Sequence, residues 1–191
     1  MVLKGLSLVA AVASLSGATP PAQAASGAPR TVLQYGDSLT IGTAAYLSDF
    51  LPGWTSSESA SISRHARSAP TAMRSLGVAL PRVLVISLGT NDDPSAVSAF
   101  AGAVRRVVTT AGRGRCVIWA TVVRPPYNGV SYDGYNRVLR RAARSYRTFR
   151  LFDWASLAQT HPRWFGTDGV HPTADGYRAR AAALAKIVPT C

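Results

Sequence analysis

Histidine, cysteine, lysine and acidic residues are all scarce in this chain of 191 residues, and each scarcity narrows the chemistry open to it. With three histidines and two cysteines, no cluster has the spacing of a metal site, so neither a metal nor a cofactor is expected. Nine Asp and Glu face 21 Lys and Arg, of which 19 are arginine, for a formal charge of +12. No recognised nucleic-acid module accompanies that charge, so nucleic acid is not an expected partner. Beyond the first two dozen residues no apolar run approaches the roughly 20 residues that cross a bilayer. No repeat and no Gly/Ser/Pro-rich linker divides the remainder. One domain is expected.

The N-terminus reads as an export signal rather than as fold. Lys4 supplies a positive n-region, and Leu6 to Ala18 is a short run of Leu, Val, Ala, Ser and Gly. Thr19-Pro20-Pro21 breaks any helix there, and Ala22-Gln23-Ala24 gives the small-x-small pattern of a cleavage site. Residues 1–24 are therefore assigned to a removed signal peptide and 25–191 to a single domain, beginning with a loose leader from Ala25 to Arg30. The product is expected outside the cell, free or associated with the cell wall, as a monomer.

Apolar periodicity divides that domain into alternating strands and helices. Strands are expected at Thr31–Tyr35, Trp54–Ser63, Arg82–Leu88, Cys116–Val123 and Phe149–Asp153. Helices are expected at Thr43–Leu51, Ala69–Leu80, Pro94–Ala111, Tyr132–Tyr146 and Thr173–Val188, the last capped by Thr173. Arg124 to Ser131 reads as an irregular loop. Near-continuous apolar strands imply a sheet covered on both faces. Right-handed crossovers then give an α/β fold: a three-layer α/β/α sandwich with a five-stranded, mainly parallel sheet. Ligands of such folds bind beyond the carboxyl ends of the strands. The polar clusters Gly36-Asp37-Ser38-Leu39, Gly89-Thr90-Asn91-Asp92 and Asp168-Gly169-Val170-His171-Pro172 all fall at that edge.

A serine nucleophile needs a base in hydrogen-bond reach, a carboxylate to orient the base, and donors aimed at the developing oxyanion. Of the three histidines, His65 lies in an arginine-flanked loop and His161 in a surface-like Thr-His-Pro-Arg stretch, and both read as structural. In the Asp168-x-x-His171 segment one loop can present both side chains toward a common point.

These three clusters, in this order and separation, resemble three of the four sequence blocks of SGNH (GDSL) hydrolases across essentially the whole mature chain. The resemblance implies Ser38 as nucleophile, His171 as general base and Asp168 as the residue that orients it. It implies an oxyanion hole made by the backbone N–H of Ser38, a backbone N–H from the second block, and the Asn91 side chain. The second block departs from the pattern. No glycine occurs between Gly53 and Gly77, and Ser61-Ile62-Ser63-Arg64-His65 stands where one is expected. Ser63 can supply the N–H but is restricted if the position requires a positive φ. Arg64 either orders this loop or binds an anionic substrate. Asp37 is read as ordering the nucleophile turn, and Asp92 and Asp93 as structural, capping the helix that Pro94 begins.

The activity implied is hydrolysis of short-to-medium acyl esters, as in a carboxylesterase or carbohydrate deacetylase. Two alternatives stand beside it: an O-acyltransferase acting on cell-wall glycans, and a non-catalytic basic glycan-binding module. Cys116 opens the fourth strand and Cys191 follows the last helix, so both lie at the edge opposite the site. A Cys116–Cys191 disulfide is expected, with free thiols as the alternative. Arg137, Arg140, Arg141, Arg144, Arg147 and Arg150 give the fourth helix a basic outer face. That face is either a plain solvated surface or an electrostatic contact for anionic cell-surface polymers. Trp119 reads as core, while Trp164 and Phe165 either border the site or pack beneath its loop.

Overall fold

The computed structural model describes residues 29–191. The signal peptide assigned to residues 1–24, and the leader up to residue 28, lie outside the described residues. Five strands run β1 (Thr31–Gly36), β2 (Thr55–Ala60), β3 (Val83–Ser87), β4 (Cys116–Ala120) and β5 (Phe149–Phe152). They form one sheet in the order β2-β1-β3-β4-β5, and every pairing is parallel. Among the described residues, six α-helices connect or follow them: α1 (Ser38–Leu47), α2 (Ala69–Leu76), α3 (Val97–Ala111), α4 (Asp133–Ser145), α5 (Trp154–Gln159) and α6 (Ala174–Ala185).

Strand alternation sorts the core into two layers. Leu33, Leu84, Ile86, Val117 and Trp119 face α2, α3 and α4. Val32, Val83, Val85, Ile118 and Ala120 face α1, α5 and α6. Neither face meets water, which is why β3 and β4 read as unbroken apolar runs rather than alternating ones. Trp119 is fully buried, donates from Nε1 to the Leu88 carbonyl at 3.0 Å, and meets Phe100 edge to face at 5.7 Å. Truncating it to alanine would cost about 3–5 kcal/mol. The edge strand β2 is the polar one, Thr-Ser-Ser-Glu-Ser-Ala, and polar edges resist pairing with other chains.

Several boundaries differ from the sequence reading for identifiable reasons. Helix α1 begins at Ser38, not Thr43, because Asp37 caps it by accepting from the Leu39 N–H. Helix α2 stops at Leu76, where Gly77 turns to φ 49°. Helix α3 starts at Val97, since Asp93 holds the preceding residues in a turn by accepting from Ser95 N and Oγ. Asp93 thus orders the approach to the helix and does not cap it. Strand β4 ends at Ala120, and α5, capped by Asp153, is an element the apolar pattern did not show. Thr173 does cap α6, accepting from the Gly176 N–H at 3.2 Å.

Cys116 and Cys191 are bonded, with Cα atoms 5.6 Å apart across a sequence separation of 75. This fixes the chain end after α6 to the amino end of β4. The chain-entropy account gives about 4 kcal/mol for closing a loop of that length. Chemical denaturation with and without reductant should show a loss of that order, matched by Cys116→Ala. An unchanged midpoint would mean that α6 and the sheet hold the terminus without the bond.

Candidate active site

The site forms where β1, β3 and the segment after β5 deliver their loops to one edge of the sheet. β1 ends at Gly36, packed so closely on Thr40 and the Ser87 carbonyl that a Cβ could not fit. The chain turns directly into α1, placing Ser38 at the first helical position. Backbone N–H groups of a first turn have no partner within the helix, so this end favours developing negative charge.

Ser38 Oγ lies 2.8 Å from His171 Nε2, and His171 Nδ1 lies 2.6 Å from Asp168 Oδ2. The second oxygen of the same carboxylate accepts from the backbone N–H groups of Val170 and His171, each at 2.9 Å. Asp168 thus shapes the loop and orients the imidazole at once. These bonds, led by the one from His171, hold the Asp168 carboxyl down at about 2, so it is ionised at any working pH. With Nδ1–H donated to Asp168, Nε2 is left to accept the Ser38 proton. The loop is closed at its base by an antiparallel bridge between Phe165 and Pro172 and by the bond from Gly166 N to His171 O at 2.9 Å. Trp164 stacks on the buried Trp154 at 5.8 Å, so Trp164 and Phe165 support the loop from below.

On the other side of Ser38, the buried Asp37 carboxylate joins two loops. One oxygen accepts from Leu39 N at 3.0 Å and the other from Asn91 Nδ2 at 3.2 Å. Asn91 Nδ2 also reaches the Arg64 carbonyl at 3.5 Å. Ser63 stands at φ 60°, one of two non-glycine residues with positive φ among those described. The serine therefore keeps a left-handed backbone that favours glycine, at a cost of roughly 1–2 kcal/mol. Arg64 turns away from the site: its guanidinium bonds the Ser59 carbonyl and covers the Tyr35 ring at 4.4 Å. Of its two readings, loop ordering is the one the geometry shows. Asp92 also holds this loop, accepting from Ala66 N at 2.9 Å and lying 3.4 Å from His65 Nδ1. His161 lies just after α5, stacked on Trp164 at 3.8 Å.

Burial pushes the Asp37 carboxyl up to about 6, against the bonds from its own turn and the charge of Arg180. The stability this shift contributes is fully present below about 3.8 and is lost as pH rises through about 6. Arg180, on α6, is itself buried, donating to Thr43 Oγ1 at 2.6 Å and Ser87 Oγ at 2.9 Å, with its guanidinium 5.3 and 5.5 Å from the rings of Phe152 and Trp154. The sequence reading missed Arg180. Its signal was a lone charge on the apolar stripe of α6, at the turn after Gly176.

A cavity of about 360 Å³ opens beside Ser63 and Asn91, with His65, Asp92 and Arg124 in its walls. A second, of about 490 Å³, lies between the start of α4 and the Asp168 loop, and shares Arg124 and Tyr132 with the first. Among the described residues no group of His, Cys, Asp and Glu is arranged to hold a metal.

The family model for GDSL-like lipases and acylhydrolases matches residues 35–179. The chain belongs to this family, the SGNH/GDSL hydrolases. Solved structures agree on the fold. The C-terminal catalytic domain of Streptococcus pneumoniae peptidoglycan O-acetyltransferase A superposes with a TM-score of 0.68, at 24% identity over 86% of this chain and 93% of that one. The Clostridium thermocellum family 3 carbohydrate esterase gives 0.68 at 14% identity, over 85% and 98% of the two chains. The psychrotrophic esterase EstA from Pseudoalteromonas sp. gives 0.65 at 14%, over 84% and 97%. No curated protein gives a significant match.

If Asp37 acts on catalysis by aiming the Asn91 amide, Asp37→Asn should lower kcat on an acyl ester by about 10²-fold, as loss of an oxyanion donor does. The Asp37→Asn/Asn91→Ala double variant should then be no slower than Asn91→Ala alone. Additive losses in the steady-state kinetics would separate the two residues.

Proposed function

We propose that this chain is an exported serine esterase that cleaves short acyl esters through an acyl-enzyme on Ser38. The observation that carries the reading is the continuous chain Ser38 Oγ–His171 Nε2, 2.8 Å, and His171 Nδ1–Asp168 Oδ2, 2.6 Å, at a helix N-terminus. The Ser38 proton passes to His171 Nε2 as Oγ attacks the ester carbonyl carbon. The resulting oxyanion is met by the N–H of Ser38, the N–H of Ser63 and the one Asn91 N–H that exchanges its long 3.5 Å bond to the Arg64 carbonyl for the oxyanion. As the tetrahedral intermediate collapses, His171 returns the proton to the leaving alcohol. Water then attacks the acyl group with His171 again as base, releasing the acid and restoring Ser38. Asp168 keeps the imidazole in its working tautomer and stabilises the imidazolium without taking the proton.

Solvent access favours hydrolysis over transfer. The side chains of His171 and Asp168 are 49% and 50% exposed, so water reaches the acyl-enzyme freely. The fold is shared by esterases and by a peptidoglycan O-acetyltransferase domain, and therefore does not choose between the two outcomes. Both cavities beside the site carry charged or hydroxyl groups in their walls, which suits a short acyl group better than a long alkyl chain. Export is supported by the signal-like N-terminus and by a disulfide, which persists in oxidising compartments. On α4, Arg137, Arg141 and Arg144 are exposed, and none has a carboxylate partner among the described residues. That face suits electrostatic contact with anionic polymers at the cell surface.

Turnover of p-nitrophenyl acetate by the purified mature chain tests the reading. Ser38→Ala and His171→Ala should each lose at least about 10³-fold in kcat. Wild-type turnover no faster than that of Ser38→Ala, across several acyl esters, would remove the esterase assignment. Faster nitrophenol release on adding an acceptor oligosaccharide, with the acyl group recovered on the sugar, would convert hydrolysis into transfer.

A further inference from the structure

The segment after β4 holds a feature that the acyl chemistry leaves unused. Arg124 to Ser131 is ordered, not irregular. Tyr127 and Val130 form an antiparallel bridge with reciprocal backbone bonds of 3.0 Å each. Between them, Asn128 and Gly129 stand at φ 50° and 75°, the positive pair of a two-residue hairpin turn. The hairpin is held from behind. Arg124 Nη1 donates to the Thr90 carbonyl at 2.6 Å, and Pro125 lies against Gly169 in the loop that carries Asp168 and His171. It therefore bridges the Asn91 loop and the His171 loop.

This fixed hairpin leaves Tyr127 47% exposed at the rim of the cavity that begins at Ser63 and Asn91. At about 360 Å³, the cavity is at the small end of ligand sites, which run from about 300 to 1,000 Å³. Its walls offer hydrogen bonds of both kinds. Asp92 accepts, the free N–H groups of Arg124 donate, and His65, 3.4 Å from Asp92, has a second ring nitrogen to offer. An alkyl chain in this space would desolvate those groups without replacing their bonds. Asp92 and its neighbour Asp93 offset the charge of Arg124, so the walls carry no net attraction for an anion. A neutral ring with hydroxyls at its edge and an apolar C–H face matches both the walls and the exposed aromatic.

We propose that this cavity is a sugar subsite, holding a pyranose ring of the ester's alcohol part. The ring's C–H face lies on Tyr127 and its hydroxyls meet His65, Asp92 and Arg124. The inference rests on the esterase reading for its place in the reaction and narrows that reading to acylated glycans. Tyr127 is then a specificity-determining residue, presented by a turn built to hold it still.

Two experiments separate the subsite from the chemistry. In the first, kcat/KM is measured for acetylated xylo-oligosaccharides and for p-nitrophenyl acetate, in wild type, Tyr127→Ala and Tyr127→Trp. The sugar-to-nitrophenyl ratio should fall about tenfold in Tyr127→Ala, through KM, and recover in Tyr127→Trp. In the second, calorimetric titration of Ser38→Ala with the same acetylated oligosaccharides should show binding that Tyr127→Ala, added to it, weakens by a similar factor. An unchanged ratio, or equal losses on both esters, would overturn the subsite while leaving the esterase intact. Absence of binding to Ser38→Ala would do the same. Binding that persists in a wild type without turnover on any ester would instead retain the subsite and refute the esterase.

Discussion

A single buried carboxylate, Asp37, ties together the parts of this site that come from different places in the chain. It caps α1 and so puts Ser38 at a helix N-terminus, and its other oxygen holds the Asn91 amide from the end of β3. Such a group is costly to bury, and the fold answers the cost with two donors and with the charge of Arg180 on α6. Arg180 in turn lies against two neighbouring aromatic rings and bonds Thr43 on α1 and Ser87 at the end of β3. The turn that carries Ser38 is thereby connected to the end of β3 by two sets of polar bonds, Asp37 with Asn91 and Arg180 with Ser87. Through them, the position of Ser38 depends on residues outside the Ser38–His171–Asp168 chain.

Parallel topology explains why these groups meet. The order β2-β1-β3-β4-β5 has its chain reversal at β1, so the loops after β1 and β3 part to opposite faces and leave a crevice between them. Ser38 enters that crevice from one strand end and Asn91 from the other. The loop before α6, stapled by its own bridge and by Trp164 beneath it, carries Asp168 and His171 over the top. At the far edge of the sheet the disulfide fixes the end of the same α6 segment to β4. The candidate site and the disulfide thus lie at opposite edges of the sheet.

Much of this was legible in the sequence because it depends on local pattern. The buried strands β3 and β4 are written as apolar runs, and Asp168-x-x-His171 is a spacing within one loop. The disulfide partners followed from topology alone. What escaped the sequence was decided by tertiary contacts or by local chemistry given too little weight. The start of α1 at Ser38 turns on the Asp37 cap, five residues before the expected boundary. The fate of Arg64 turns on the Tyr35 ring and the Ser59 carbonyl, which no pattern announces. Arg180 reads as surface until α1 and β3 close over it. The hairpin at Asn128-Gly129 was legible: Asn-Gly is a strong turn signal. It was obscured by the two prolines before it.

The central claim is that Ser38 is an activated nucleophile because His171 and Asp168 prepare it. Covalent labelling tests this without any assumption about the natural ester. A fluorophosphonate should modify wild-type protein at Ser38 alone, as read by mass spectrometry of the peptide containing it. The rate should fall by orders of magnitude in His171→Ala. Equal labelling rates in wild type and His171→Ala, or modification at a different residue, would contradict the account.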